Sequence, residues 1–120
     1  MDNLLTVALE AHHAERNHHR SYAATVGRDL FGDWTVSIRY GLVGHGRHEI
    51  RYAASEPQEV QAILRDRLRR RLSAPRRIGC AYRLAAWSAA SGFDTAAWLP
   101  GDVMARFFAA GGVTNSLKEE

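Results

Sequence analysis

Asp33-Trp34-Thr35-Val36-Ser37-Ile38-Arg39-Tyr40 is the stretch that decides the fold. Trp34, Val36, Ile38 and Tyr40 alternate with Thr35, Ser37 and Arg39, the period-two pattern of a strand with one buried face. The alternating side chains are aromatic or β-branched, the types that pack well on a pleated surface. Upstream, Arg20 to Val26 alternates in the same way, with Tyr22, Ala24 and Val26 on one side. Gly27-Arg28-Asp29-Leu30-Phe31-Gly32 joins the two as a long hairpin loop. Downstream, Gly46 to Ala53 sets His48, Ile50 and Tyr52 inward, opposite Arg47, Glu49 and Arg51. The linking segment Gly41-Leu42-Val43-Gly44-His45-Gly46 holds three glycines in six residues, which implies a tight turn with left-handed backbone positions. The three runs form an antiparallel meander.

A helix over 56–72 follows. Ser55 stands at its cap, Pro57 in its first turn, and Glu56 and Glu59 near its positive end. Val60, Ile63, Leu64, Leu68 and Leu72 make an apolar stripe that covers the sheet, while Arg65, Arg69 and Arg70 lie off it. Ser73-Ala74-Pro75 ends the helix. Residues 2–16 also read as a helix, capped by Asp2, with Leu4, Leu5, Ala8, Ala11 and His12 on one face. After Pro75, Ile78 to Tyr82 reads as a short strand, and 84–91 fits strand or helix. Asp102 to Ala110 reads as a closing helix, capped by Asp102 and stopped at Gly111-Gly112, with Thr114 to Glu120 frayed. The fold class is α+β. Residues 18–83 form the sheet-and-helix domain, with a helical N-terminal extension over 1–17. A helical C-terminal extension over 84–120 packs on the same core.

The chain has 120 residues, 46% hydrophobic and 24% charged, which suits a single folded domain. A chain this size buries about two thirds of its unfolded surface, enough for one core without disulfides or metal. The single Cys80 excludes an internal disulfide and a cysteine-based zinc site, so a reducing, cytoplasmic setting is expected. The N-terminus has no basic run, and Glu10, His12 and His13 interrupt its apolar stretch, so no secretory signal is expected. No stretch reads as a membrane span. Fifteen Arg against one Lys, with abundant Ala, suits a GC-rich bacterial genome.

The net charge of +3 is unevenly placed. Residues 65–83 carry eight Arg and only Asp66, between flanks of net −2 each. Such an island leaves little local pairing and points to an anionic partner. No nucleophile elbow, phosphate loop or dinucleotide fingerprint occurs, so no enzyme is expected. Cys80 reads as a small core residue. His12-His13 and His18-His19 are adjacent pairs; on a helix such neighbours diverge by about a hundred degrees, so no metal site or cofactor is expected. Trp87, Phe93, Trp98, Phe107 and Phe108 read as core packing, with a surplus that allows a homodimer or partner surface.

Several pieces in order resemble the WGR domain, named for a Trp-Gly-Arg motif. They are Arg20-Ser21-Tyr22, Asp29-Leu30-Phe31-Gly32-Asp33-Trp34 and Tyr40-Gly41-Leu42-Val43-Gly44-His45-Gly46. Ser55, Glu56 and Glu59 follow, then Arg76, Arg77, Gly79 and Tyr82. The resemblance spans about half the chain and implies DNA binding, because the family engages DNA, including break ends beside poly(ADP-ribose) polymerase catalytic domains. The family's Trp and Arg, which contact nucleic acid, are Tyr40 and Leu42 here. The turn glycines at 41, 44 and 46 remain, whereas Leu42 removes the charged contact.

The function expected is a non-catalytic module that binds the backbone or ends of DNA with low sequence specificity. Arg39, Arg47 and Arg51 share the polar strand face and suit forked contacts to phosphate. Tyr40 adds stacking, Gly41 allows close approach, and His45 can donate from the turn tip. Arg69 and Arg70 mark a second basic patch on the helix. The alternative is a protein-interaction module that has lost DNA contact, using the arginine helix against an acidic protein or the aromatic C-terminal segment.

Overall fold

The decisive stretch forms β3 (Trp34–Leu42), paired antiparallel with β2 (His18–Arg28) and β4 (His48–Ala54). The structure, a computed structural model, describes residues 2–13, 15 and 18–108. Tyr22 sits opposite Tyr40, Ala24 opposite Ile38 and Val26 opposite Val36, so the alternating apolar residues form one continuous face. Tyr22, Ala24, Val26, Val36 and Ile38 are all buried.

Residues 2–13 are not a helix but strand β1 (Asp2–His13). Leu5, Val7, Leu9 and Ala11, two apart, are each at most 1% exposed, and they extend the buried face of β2. The segment is apolar at so many positions that it satisfies a helical stripe and a strand face alike. Pairing decides between them, because β1 has a strand on each side: β2, and β5 (Arg83–Ala89). Both ladders satisfy its backbone, which no isolated helix preference of Leu and Ala offsets. The five strands run in the order β4-β3-β2-β1-β5, all antiparallel. Where a helical extension was expected over 1–17, residues 2–13 are therefore part of the sheet, and of the segment 84–91, residues up to Ala89 form a strand.

α1 (Pro57–Arg71) lies over this face with Val60, Leu64 and Leu68 fully buried. Its cap position is Glu56 rather than Ser55, and no side chain caps it; the proline at its start leaves one fewer orphan N–H to satisfy. Ala74–Ile78 forms a short helix, α2, ended by Gly79 at φ +83°, in place of the short strand expected to begin at Ile78. Pro75 in its first turn favours helix there. The C-terminal part comprises α3 (Thr95–Trp98), α4 (Gly101–Val103) and a π-helical turn, Met104–Phe108. Pro100, not Asp102, occupies the cap of α4; the Asp102 carboxylate instead accepts from the Val103 N–H at 2.9 Å. The expected stop at Gly111-Gly112 and the frayed end lie outside the described residues.

The aromatic residues of this part pack as expected. Trp98 lies 5.5 Å from Trp34 and 5.7 Å from Phe93 between ring centroids, and Trp87 meets Phe108 edge-on at 5.3 Å. Among the described residues all helices lie on one face of the sheet and none covers the other, although Thr35 on that other face is only 4% exposed. Among the described residues no helix is long and apolar enough to cross a membrane.

Candidate nucleic-acid interface

The uncovered face carries Arg39 and Arg51, both exposed, by strand alternation from the buried Ile38 and the half-buried Tyr52. Its neighbouring positions are small: Ala23 sits opposite Arg39, and Thr25 opposite Ser37. The Thr6 and Thr25 hydroxyls approach to 3.5 Å across β1 and β2. These small side chains leave Arg39 with short cross-strand neighbours on the β2 side. Glu49 faces Arg39 in register, yet Arg39, Arg47 and Arg51 make no ion pair among the described residues.

Arg47 lies exposed in the segment entering β4, at the end of the glycine turn. Gly41 makes that turn possible. A Cβ there would stand 2.8 Å from the Gly46 carbonyl oxygen and 3.4 Å from the Arg47 Cα, a backbone contact that only glycine tolerates. The Val43 N–H donates to the His19 carbonyl at 2.7 Å, and the His45 N–H to the Leu42 carbonyl at 3.0 Å. His45 is exposed beside them.

The remaining expected residues lie elsewhere. Tyr40 is on the helix side of the sheet, stacked on His48 at 5.3 Å, so it cannot share a flat surface with Arg39. Adjacent residues of a strand point to opposite faces, which places the aromatic and the charge on different sides. Arg69 and Arg70 stand on α1 in the other layer. Arg69 donates to the Asp102 carboxylate at 3.2 and 3.3 Å, and Arg70 lies 3.2 Å from Asp66. Desolvation works against the Asp102 carboxylate, but hydrogen bonds from Arg69 and the Val103 N–H hold its pKa below the ordinary value.

His48 and Ile50, expected inward, are exposed, because α1 stands off this end of β4 and leaves a cleft. The cleft is the feature that the sequence reading missed. Tyr22, Tyr40 and Tyr52 line it from the sheet, and Arg67, Arg70 and Arg71 from the helix. Arg67 and Arg71 are one helical turn apart, and the three tyrosines are on the inward phase of their strands; together these spacings were the available signal. The Arg67 guanidinium donates to the Tyr52 hydroxyl at 3.3 Å, and that of Arg71 lies 4.3 Å from the Tyr22 ring centre.

Burial pushes the Tyr22 hydroxyl up to about 12, while Arg71 and Arg67 pull the other way. The folded state thus keeps a proton that the unfolded chain gives up near pH 10. Stability from this group is complete below pH 10 and is lost as pH rises from 10 towards 12, by about 2–3 kcal/mol in all. Urea unfolding at pH 9 and pH 11 is expected to show about half of this loss, and Tyr22→Phe to reduce it. An unchanged slope in the variant would assign the loss to other groups.

The histidines at the β1–β2 end are cross-strand neighbours rather than helix neighbours. His12 faces His19 at 5.6 Å between rings, and His19 Nε2 lies 3.2 Å from Glu10 Oε1. Among the described residues no three His, Cys, Asp or Glu side chains converge as metal ligands. The fold defines an antiparallel α+β protein whose described helices all lie on one sheet face. Compared with protein-family models, curated proteins and solved structures, the chain has no match.

Proposed function

We propose that the protein is a non-catalytic, cytoplasmic nucleic-acid-binding module that holds the sugar-phosphate backbone of DNA on its open sheet face. One observation carries this reading: Arg39 and Arg51 stand exposed on the sheet face that no described helix covers, Arg47 stands exposed in the segment entering β4, and no carboxylate is paired to them among the described residues. Unpaired guanidinium groups on an approachable surface suit phosphate, which they bind through forked hydrogen bonds at any relevant pH. The resemblance of the 40–46 turn to the WGR motif supports the same reading, with Gly41 letting the turn close so that Arg47 stands at its end. Contacts of this kind position a duplex without reading its sequence.

The test is a titration of duplex DNA at several salt concentrations against the wild type and Arg39→Ala/Arg47→Ala/Arg51→Ala. Saturable binding is expected, with a salt slope that drops by about 2–3 in the variant, near one phosphate contact per arginine. Absence of binding at low salt overturns the reading.

A second reading, a protein-interaction module, is favoured by a different observation. Leu30 and Phe31 are 84% and 90% exposed at the tip of the β2–β3 hairpin. The tip is rigid: Asp29 Oδ1 accepts from the Phe31 and Asp33 N–H groups at 2.9 and 3.0 Å, and Arg28 donates twice to the Gly32 carbonyl. A fixed apolar pair of this kind suits an apolar pocket on a protein partner. Capture of such a partner, lost in Leu30→Ser/Phe31→Ser while DNA fails to compete, would favour it.

A further inference from the structure

We infer that the cleft beneath the C-terminal half of α1 is a binding site for a phosphate monoester carried on a flat ring, the chemistry of a mononucleotide. It lies on the helix side of the sheet, away from the open face, and does not rest on the duplex-binding reading.

Two adjoining hollows of about 330 and 110 Å³ share Tyr40 and Arg71 as walls. The larger is the size of a small-ligand site, about 300 Å³ and upwards. Between them they gather every tyrosine of the chain, Tyr82 lining the smaller, and no carboxylate lines either. Arg20 adds a fourth arginine to Arg67, Arg70 and Arg71. A concave surface with four cations and no anion in its lining favours a negatively charged occupant.

Two buried polar atoms identify where that charge belongs. The Tyr22 hydroxyl and the Arg71 Nε–H are buried without a hydrogen-bond partner among the described residues, and Tyr22 itself is only 2% exposed. Buried polar groups are paired as a rule, and leaving one unpaired costs about 1–3 kcal/mol. The guanidinium is a donor only, and the neutral phenol can donate alongside it, so the natural partner is an acceptor with several oxygens. Arg71 is held in place: its guanidinium carbon is 4.3 Å from the Tyr22 ring centre and 6.0 Å from that of Tyr82. The other cations are partly engaged, Arg67 by Asp66 and Tyr52, and Arg70 by Asp66. Arg71 has no carboxylate partner among the described residues.

The rest of the lining suits a ring rather than a chain of polar groups. Ile38 gives it a buried apolar floor and Ile50 an apolar rim, and Tyr40 and Tyr52 offer aromatic surfaces on which a planar ring can stack. The phosphate would lie at Tyr22 and Arg71, and the ring towards the mouth, where Ile50 is 40% exposed.

Calorimetric titration of the full chain with AMP, adenosine and inorganic phosphate tests this, with amide shifts by NMR reporting the place of binding. AMP is expected to bind saturably and shift the signals of 20–22, 40 and 67–71, with adenosine at least tenfold weaker. Arg71→Gln is expected to lower AMP affinity at least tenfold, Arg71→Lys less, and Tyr22→Phe several-fold; wild-type-like spectra verify each fold. A 5′-phosphorylated trinucleotide distinguishes the sources of the group: weaker binding than AMP assigns a free nucleotide, and tighter binding a strand end. No AMP binding at millimolar concentration overturns the inference, as does equal affinity for adenosine or for Arg71→Gln. AMP is titrated without duplex, so a failure of duplex binding leaves this result standing, and the converse holds.

Discussion

Val7→Asp is expected to abolish cooperative folding. Val7 is 0% exposed in β1, flanked in register by Ala24 of β2 and Trp87 of β5. No cation lies among these cross-strand neighbours, so the new carboxylate would be buried ionised and unpaired or would have to take up a proton. Either way the cost is several kcal/mol, a large share of the roughly 5–15 kcal/mol that a domain has in total. Thr6→Asp, one residue away on the uncovered face, is expected to cost less than about 1 kcal/mol. The contrast separates strand from helix. On a helix over 2–16, Val7 lies off the face formed by Leu4, Leu5, Ala8, Ala11 and His12, and its substitution would be nearly neutral. Thermal unfolding followed by circular dichroism, with NMR signal dispersion, reads the difference. A Val7→Asp protein that unfolds within about 1 kcal/mol of wild type would contradict the sheet order.

Leu64→Ala carries the second large effect, a loss of about 2–5 kcal/mol. Leu64 is 0% exposed at the middle of the α1 stripe, one turn from Val60 and one from Leu68, both also 0% exposed. Truncation removes the transfer free energy of its buried methyl groups and leaves a cavity that this rigid layer fills only in part. In urea the midpoint is expected to fall at unchanged slope, the sign of lost stability without a change in surface exposed. Ala62→Ser on the exposed side of α1 serves as the comparison, within about 0.5 kcal/mol of wild type. A Leu64→Ala loss below 1 kcal/mol would mean that α1 does not seal the core.

Much of the fold was legible in single elements. The alternation in 20–26 and 34–40, the glycines of the 41–46 turn and the stripe of 60, 64 and 68 each state a local structure, and each forms as read. β1 was misread because Leu5-Thr6-Val7-Ala8-Leu9 satisfies two periods at once. The site was legible only in part. Arg39 and Arg51 lie exposed on their strands, Arg47 lies exposed just before β4 rather than in it, and Tyr40 faces the helix, where alternation from Arg39 already sends it. The pairing of Arg69 with Asp102, 33 residues on, had no local sign.

By itself, then, the sequence determined which residues share a face within an element: the inward tyrosines, the outward arginines, the apolar stripe of α1 and the glycine that lets the β3–β4 turn close. Tertiary structure decided which of those faces meet. It made residues 2–13 a strand by supplying ladders on both sides, and it sent every helix among the described residues to one face of the sheet. It also set Arg71 over Tyr22, two residues that line one cleft and each carry a buried donor without a partner among the described residues. The physical reason is that periodicity is a property of one element's backbone. The meeting of two elements depends instead on how their side chains and hydrogen bonds are jointly satisfied, and no single element records that.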